Sequence, residues 1–366
     1  MTDLTDLFSA GVQAVRGDKS VAAALADGTT PAPDQIIAVG KAATAMARAA
    51  CDHFGAVPTL IVTKYHHGEG APDYADVIEA AHPVLDENSL RAGQRILQTV
   101  QEMAPDTHLL MLVSGGASAL AEAPIDGLTL EGLSARTTEL LGSGADIHAM
   151  NAVRRTLSQI KGGKLLTHFA GARVTTLAIS DVEGDALGVI GSGIGDAAAN
   201  SAFEFAPRIV ASNRIARQAV IDAAQADNLK ANDAGEILYA NVEQVAPLVG
   251  KTLIDAEPGI YVFGGEPTVI LPPNPGRGGR NQALALMLAQ QIAGHAGIDI
   301  LVAGTDGTDG PTDAAGAVVS GTTWEASAAE ALSRADAGSW LDARGALLRT
   351  GPTGTNVMDL VIARKA

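Results

Sequence analysis

The chain has 366 residues, of which 47% are hydrophobic but only 3% aromatic, and a formal net charge of -16. That length points to two domains rather than one core, and the acidic balance argues against partnership with nucleic acid or an anionic membrane. The single cysteine, Cys51, excludes an internal disulfide and fits a reducing, cytoplasmic setting, and no signal peptide or transmembrane run is expected.

In chain order, apolar spacing predicts a helix over 4–15, a strand at 36–39 broken by Gly40, and a helix opened by Lys41. Strands follow at 59–63 and 77–80, a helix at 89–103, and a strongly apolar strand at 109–113 that ends in Ser114-Gly115-Gly116-Ala117-Ser118. A helix starts at Thr129, and a polar helix over 147–160 carries Arg154 and Arg155 and is closed by Lys161-Gly162-Gly163-Lys164, which opens another. A strand at 174–179 delivers Ser180-Asp181, and a strand at 209–211 delivers Ser212-Asn213 into a helix over 214–226. The character changes between about 227 and 258, where the domain boundary is placed, between 235 and 236.

Beyond it, a strand at 259–263 ends in Gly264-Gly265-Glu266, with 268–271 as a hairpin partner. Gly276-Arg277-Gly278-Gly279-Arg280-Asn281-Gln282 opens a helix over 283–293. A strand at 298–303 feeds the loop Gly304–Ala315, helices cover 326–334 and 339–346, and a last strand covers 357–363. Strands alternating with helices give an α/β class with mostly parallel sheets.

In such sheets ligands bind beyond the carboxyl ends of the strands. Six ends here carry glycine or a polar group: Gly40-Lys41, Ser114-Gly115-Gly116, Ser180-Asp181, Ser212-Asn213, Gly264-Gly265-Glu266 and Thr305-Asp306. The turn from Ser114 to Ser118 offers backbone N–H groups to a carboxylate or phosphate. Lys41 at a helix start adds a cation where the helix end is already positive, so a bound anion is the better explanation. Arg280, after three glycines, suits a two-donor grip on phosphate. Asp306, Asp309 and Asp313 crowd one loop and repel unless a hard cation such as Mg²⁺ sits among them; an acidic surface turn is the alternative. His82 and His148 read as packing or turn residues. There is no G-x-x-x-x-G-K-[ST], no G-x-G-x-x-G, no G-x-S-x-G elbow and no zinc spacing.

Together these segments resemble the glycerate 2-kinase family, whose C-terminal part is called the MOFRL domain and whose members were often labelled hydroxypyruvate reductases. The resemblance runs through VGKAA at 39–43, SGGASAL at 114–120, the segment 143–163, SDVEGD at 180–185, GGEPTV at 264–269, GRGGRNQALAL at 276–286, GTDGTDGPTDAAGA at 304–317 and TGPTGTNVMDL at 350–360. This chain departs from the pattern at Ile194-Gly195, Ala283 and Met358, positions that bear on fine substrate preference.

The resemblance implies a larger N-terminal Rossmann-like three-layer domain over 1–235, a smaller MOFRL-type α/β domain over 236–366, and an active-site cleft between them. It implies transfer of the ATP γ-phosphoryl group to the 2-hydroxyl of D-glycerate, with Mg²⁺, and leaves room for a homodimer. On that reading Lys41, Arg280 and Asp181 are the catalytic candidates. Ser114, Gly115, Gly116, Ser118, Asn213, Glu266 and Asn281 are the substrate-binding candidates, and Asp306 and Asp309 the metal ligands, with Asp181 and Asp306 sharing the roles of proton acceptor and Mg²⁺ ligand. The competing readings are an NAD(P)H-dependent hydroxypyruvate reductase, which the missing dinucleotide fingerprint disfavours, and a non-enzymatic binder of cations or sugar acids.

Overall fold

In a computed structural model of the chain, residues 3–142, 153 and 155–366 are described. The expected polar helix at 147–160 lies partly outside them, with His148 and Arg154. Two six-stranded sheets organise the rest. The first holds β1 (Gln35–Val39), β2 (Thr59–Lys64), β3 (Asp76–Ala80), β4 (His108–Val113), β5 (Arg173–Ile179) and β6 (Glu204–Ala211). Every pair in it is parallel, in the order β3-β2-β1-β4-β5-β6. The central strands are buried on both faces, which is why they read as unbroken apolar runs: all six residues of β4 are buried. Strand order reverses between β1 and β4, and that switch point is where an open parallel sheet leaves a crevice.

The second sheet holds β7 (Ala231–Glu236), β8 (Gly259–Gly265), β9 (Ile298–Gly304), β10 (Gly316–Ser320), β11 (Leu347–Leu348) and β12 (Asp359–Lys365), in the order β11-β10-β9-β12-β8-β7. Only β7 and β8 run parallel, so the expectation of mostly parallel sheets fails here. Residues 268–271 form no hairpin strand; Thr268 makes an isolated parallel bridge with Asn241, and Ile270 and Leu271 are exposed. Strand β10 and a helix at Gly17–Leu25 add to the elements that the apolar spacing predicts. The helix expected after Lys164 is a short 3₁₀ turn, Leu165–His168.

Helices are built from local signals where those exist. The helix Glu87–Gln101 starts at a reciprocal cap, with the Asp86 carboxylate accepting from the Ser89 N–H at 2.9 Å and the Ser89 hydroxyl accepting from the Asp86 N–H at 3.1 Å.

The compact units do not follow a break at 235/236. One comprises Arg16–Ala211; the other joins Met1–Val15 to Ser212–Ala366. The reason is packing. The helix Leu4–Ala14 lies against the helix Asn213–Ala226, where Gly11 is so close that a Cβ would sit 2.8 Å from Val220 Cγ2. Thr355 Oγ1 also donates to the Val15 carbonyl at 2.6 Å. No helix among the described residues is long and apolar enough to cross a membrane.

Candidate functional site

In the unit of the parallel sheet, the ends of β1 and β4 are knitted together by backbone. The Ser114 N–H donates to the Val39 carbonyl at 3.0 Å, the Lys41 N–H to the Gly115 carbonyl at 2.9 Å, and the Ala42 N–H to Ser114 Oγ at 3.1 Å. Gly40 takes φ +128°, a conformation that L side chains rarely adopt. A Cβ on Gly115 would fall 2.0 Å from Asp181 Oδ2, so the end of β5 reaches the same place. Lys41 Cγ and His82 Cδ2 would each lie 3.1 Å from a Cβ on Gly116. Lys41, His82, Asp181 and the Ser114–Gly116 turn therefore form one cluster at the switch point.

Two expectations change. The helix after Lys41 begins at Ala43, and the one after Gly116 is a single turn, Ala117–Leu120, too short to lend much dipole to an anion. The cation in the cluster is Lys41 itself, half-buried and without an ion pair among the described residues. Ser118 Oγ accepts from Ser192 Oγ at 2.8 Å, which ties the turn to the loop 191–195.

His82, read from sequence as a packing or turn residue, stands in this cluster. Burial, together with the Lys41 and Lys64 cations, pushes its imidazole down to about 4, so it is neutral at physiological pH. The signal available in the sequence was only its position two residues beyond a strand end.

Lys161 and Lys164 have internal roles. Lys161 Nζ meets Glu122 Oε2 at 2.5 Å with both side chains 3% exposed, and Lys164 Nζ donates to the Arg155 and Ser158 carbonyls.

In the unit of the mixed sheet, β12 runs antiparallel to both neighbours. Its first residue, Asp359, therefore pairs with Gly265 at the end of β8 and Gly304 at the end of β9. The start of the helix Arg280–Gln291 faces the same edge. Asp359, 1% exposed, takes Arg280 in a fork: Nε donates to Oδ2 at 2.6 Å and Nη2 to Oδ1 at 3.1 Å. Asn281 Nδ2 adds a third bond to Oδ1 at 3.0 Å, and Arg280 Nη1 meets Glu266 Oε1 at 3.1 Å. Burial pushes the Asp359 carboxyl up against the pull of these donors, while the carboxylates around Arg280 hold its guanidinium firmly protonated despite burial.

The three aspartates of the loop after β9 do not converge. Asp306 Oδ1 accepts from the N–H and hydroxyl of Thr308, a local turn. Asp309 is 3% exposed and caps the helix that carries Arg280, accepting from the N–H groups of Asn281 at 3.1 Å and Gln282 at 2.8 Å. Burial raises its carboxyl to about 7 in spite of those bonds. Asp313 pairs at the surface with Arg277 and Arg349. Among the described residues no group of three or more His, Cys, Asp or Glu side chains is arranged to hold a metal. Asp309, with both oxygens turned to backbone donors, does not fit the role of metal ligand expected of it. Asp306 accepts its two bonds through Oδ1, which leaves Oδ2 to suit an ion that takes one protein carboxylate and completes its shell with water and phosphate oxygens, as Mg²⁺ does.

Asn213 is fully buried and fully engaged. Its Nδ2 donates to the Val357 and Asp359 carbonyls, and its Oδ1 accepts from Arg217 Nε at 3.0 Å. It braces the backbone at Asp359 rather than facing a ligand. Asn281 is likewise buried, and its Oδ1 has no hydrogen-bond partner among the described residues. Asp359 carries little signal in the sequence because it opens a strand instead of closing one; the signal is a lone carboxylate heading the apolar run 360–363.

The sequence matches the model "Domain of unknown function (DUF4147)" over residues 3–225 and the MOFRL family over 259–359. It is 36% identical to D-glycerate 2-kinase of Thermotoga maritima, covering 89% of each chain. It is also 36% identical to glycerate 2-kinase of Pyrococcus horikoshii, covering 90% of this chain and 86% of that one. The crystal structure of glycerate kinase from Thermotoga maritima superposes with a TM-score of 0.89 at 33% identity, over 99% of this chain and 98% of that chain. A protein of Pyrococcus horikoshii gives 0.82 at 30% identity, over 100% and 99%.

Proposed function

Because the chain belongs to the glycerate 2-kinase family, we propose that it transfers the γ-phosphoryl group of ATP to the 2-hydroxyl of D-glycerate, giving 2-phosphoglycerate and ADP. The observation that carries this reading is the 36% identity to a D-glycerate 2-kinase across nine-tenths of both chains. The chemistry of the two loop clusters supports it. Phosphoryl transfer asks a protein for positioning and charge neutralisation rather than for a covalent intermediate.

In the proposed assignment Lys41 and Arg280 supply positive charge to the transferring phosphoryl group. The Ser114–Gly116 turn, with Ser118, binds an anionic group of a substrate. Asp181 accepts the glycerate hydroxyl proton, and Glu266 and Asn281 act around Arg280. Mg²⁺, when bound with the nucleotide, would neutralise charge on the triphosphate, and Asp306 is the carboxylate that would hold it.

A coupled ADP-release assay over a panel of three- and four-carbon sugar acids tests the reading. ADP formation that depends on D-glycerate is expected. No ADP across the panel, or oxidation of NADH with hydroxypyruvate instead, would overturn it.

A further inference from the structure

Arg280 is held by two carboxylates before any nucleotide arrives. Its Nε and Nη2 are both taken by Asp359, and only Nη1 points outward, to the half-exposed Glu266. Both halves of the fork are anchored to backbone. Asp359 is registered between β8 and β9, and its carbonyl accepts from the buried Asn213. Arg280 begins a helix whose next two N–H groups are fixed by Asp309. Asn281 Nδ2 donates to the same Asp359 oxygen that Nη2 uses, which limits rotation of the carboxylate.

A planar guanidinium gripped along one edge has one direction left, and an anion arriving there has only the half-exposed Glu266 to displace from Nη1. We propose that Asp359 is a positioning residue for phosphoryl transfer: it fixes the guanidinium plane of Arg280 so that the Nη1 edge meets the phosphoryl oxygens. This rests on the kinase reading above. The alternative role for Asp359, simple burial of a structural ion pair, leaves the direction of Nη1 without consequence.

A double-mutant cycle on kcat/KM with ATP and D-glycerate separates the two. Asp359→Asn is expected to lower kcat/KM by about 10²-fold in the otherwise unchanged protein, with the loss in kcat. In an Arg280→Lys background the same change is expected to cost less than about threefold, since a lysine cannot be gripped by a fork. Equal losses in both backgrounds would overturn the proposal. Arg280→Lys needs no change at the buried carboxylate, so it serves if Asp359→Asn does not fold. It keeps the charge and loses the fork, and it should be as impaired as Arg280→Ala to within about threefold. Retention of most of the wild-type kcat/KM would overturn positioning.

A wild-type protein inactive on D-glycerate would instead sink the kinase reading. The fork is then read from hydrogen exchange at the Arg280 Nε–H by NMR. Protection in the wild type that is lost in Asp359→Asn supports it, and an unprotected Nε–H in the wild type overturns it.

Discussion

Gly40 lies so close to Ser114 that a Cβ on it would fall 2.2 Å from Ser114 Oγ and 2.4 Å from the Ser114 carbonyl oxygen. That approach lets β1 and β4 end side by side and brings Lys41 beside the Ser114–Gly116 turn. Gly40→Ala meets both the collision and the unfavourable φ. The backbone conformation alone is expected to cost about 1–3 kcal/mol, so thermal unfolding should show a clearly lower Tm. An unchanged Tm would mean the two strand ends are less tightly joined than the geometry states.

Lys41→Ala separates stability from turnover. The side chain is half-buried and makes no ion pair among the described residues, so its loss is expected to change stability by less than about 1 kcal/mol. Loss of a cation aimed at developing charge should lower kcat by about 10²–10³-fold. Steady-state kinetics beside a denaturant titration checks both, and normal turnover would remove Lys41 from the proposed mechanism.

The Glu122–Lys161 pair predicts an asymmetric mutational pattern. Glu122 Oε1 has no partner among the described residues, so Lys161 is the main compensation for that buried charge. Lys161→Met is expected to destabilise by about 3–5 kcal/mol, and adding Glu122→Leu should restore much of the loss, because two apolar side chains can replace a buried ion pair. Urea unfolding of the two variants measures this. A double variant no more stable than the single one would contradict it.

His82 is expected to make stability rise with pH. Its folded-state value is about 4, below the ordinary 6.5, so between those values the unfolded chain binds more protons than the folded one. The stability gained from keeping the imidazole neutral is fully present above 6.5 and is lost as pH falls through 4. His82→Gln should flatten the stability profile in that window. Equal slopes in the two proteins would place His82 in solvent rather than beside Lys41.

The first sheet was legible because burial on both faces leaves β1 and β4 as nearly continuous apolar runs that end at Gly40 and at Ser114-Gly115. The second was less so. Strand β10, Gly316–Ser320, follows directly on a glycine-rich loop and is too short to show a period. Its antiparallel partners change what the strand ends mean, since Asp359 reaches the site from the start of β12. Crowding of Asp306, Asp309 and Asp313 in sequence suggested a metal site, yet one closes a turn, one caps a helix 28 residues away in sequence, and one pairs with surface arginines. Pairings such as Glu122 with Lys161 carry no local signature, because their partners lie 39 residues apart. The unit boundary was hidden for the same reason: the first helix finds its partner only after the whole parallel sheet has been laid down.

The most direct test is the position of the phosphate in the product formed from ATP and D-glycerate, read by phosphorus NMR. The account predicts a phosphorus signal coupled to the single proton on C2. A signal coupled to the two protons on C3, or no phosphorylated product, would contradict it.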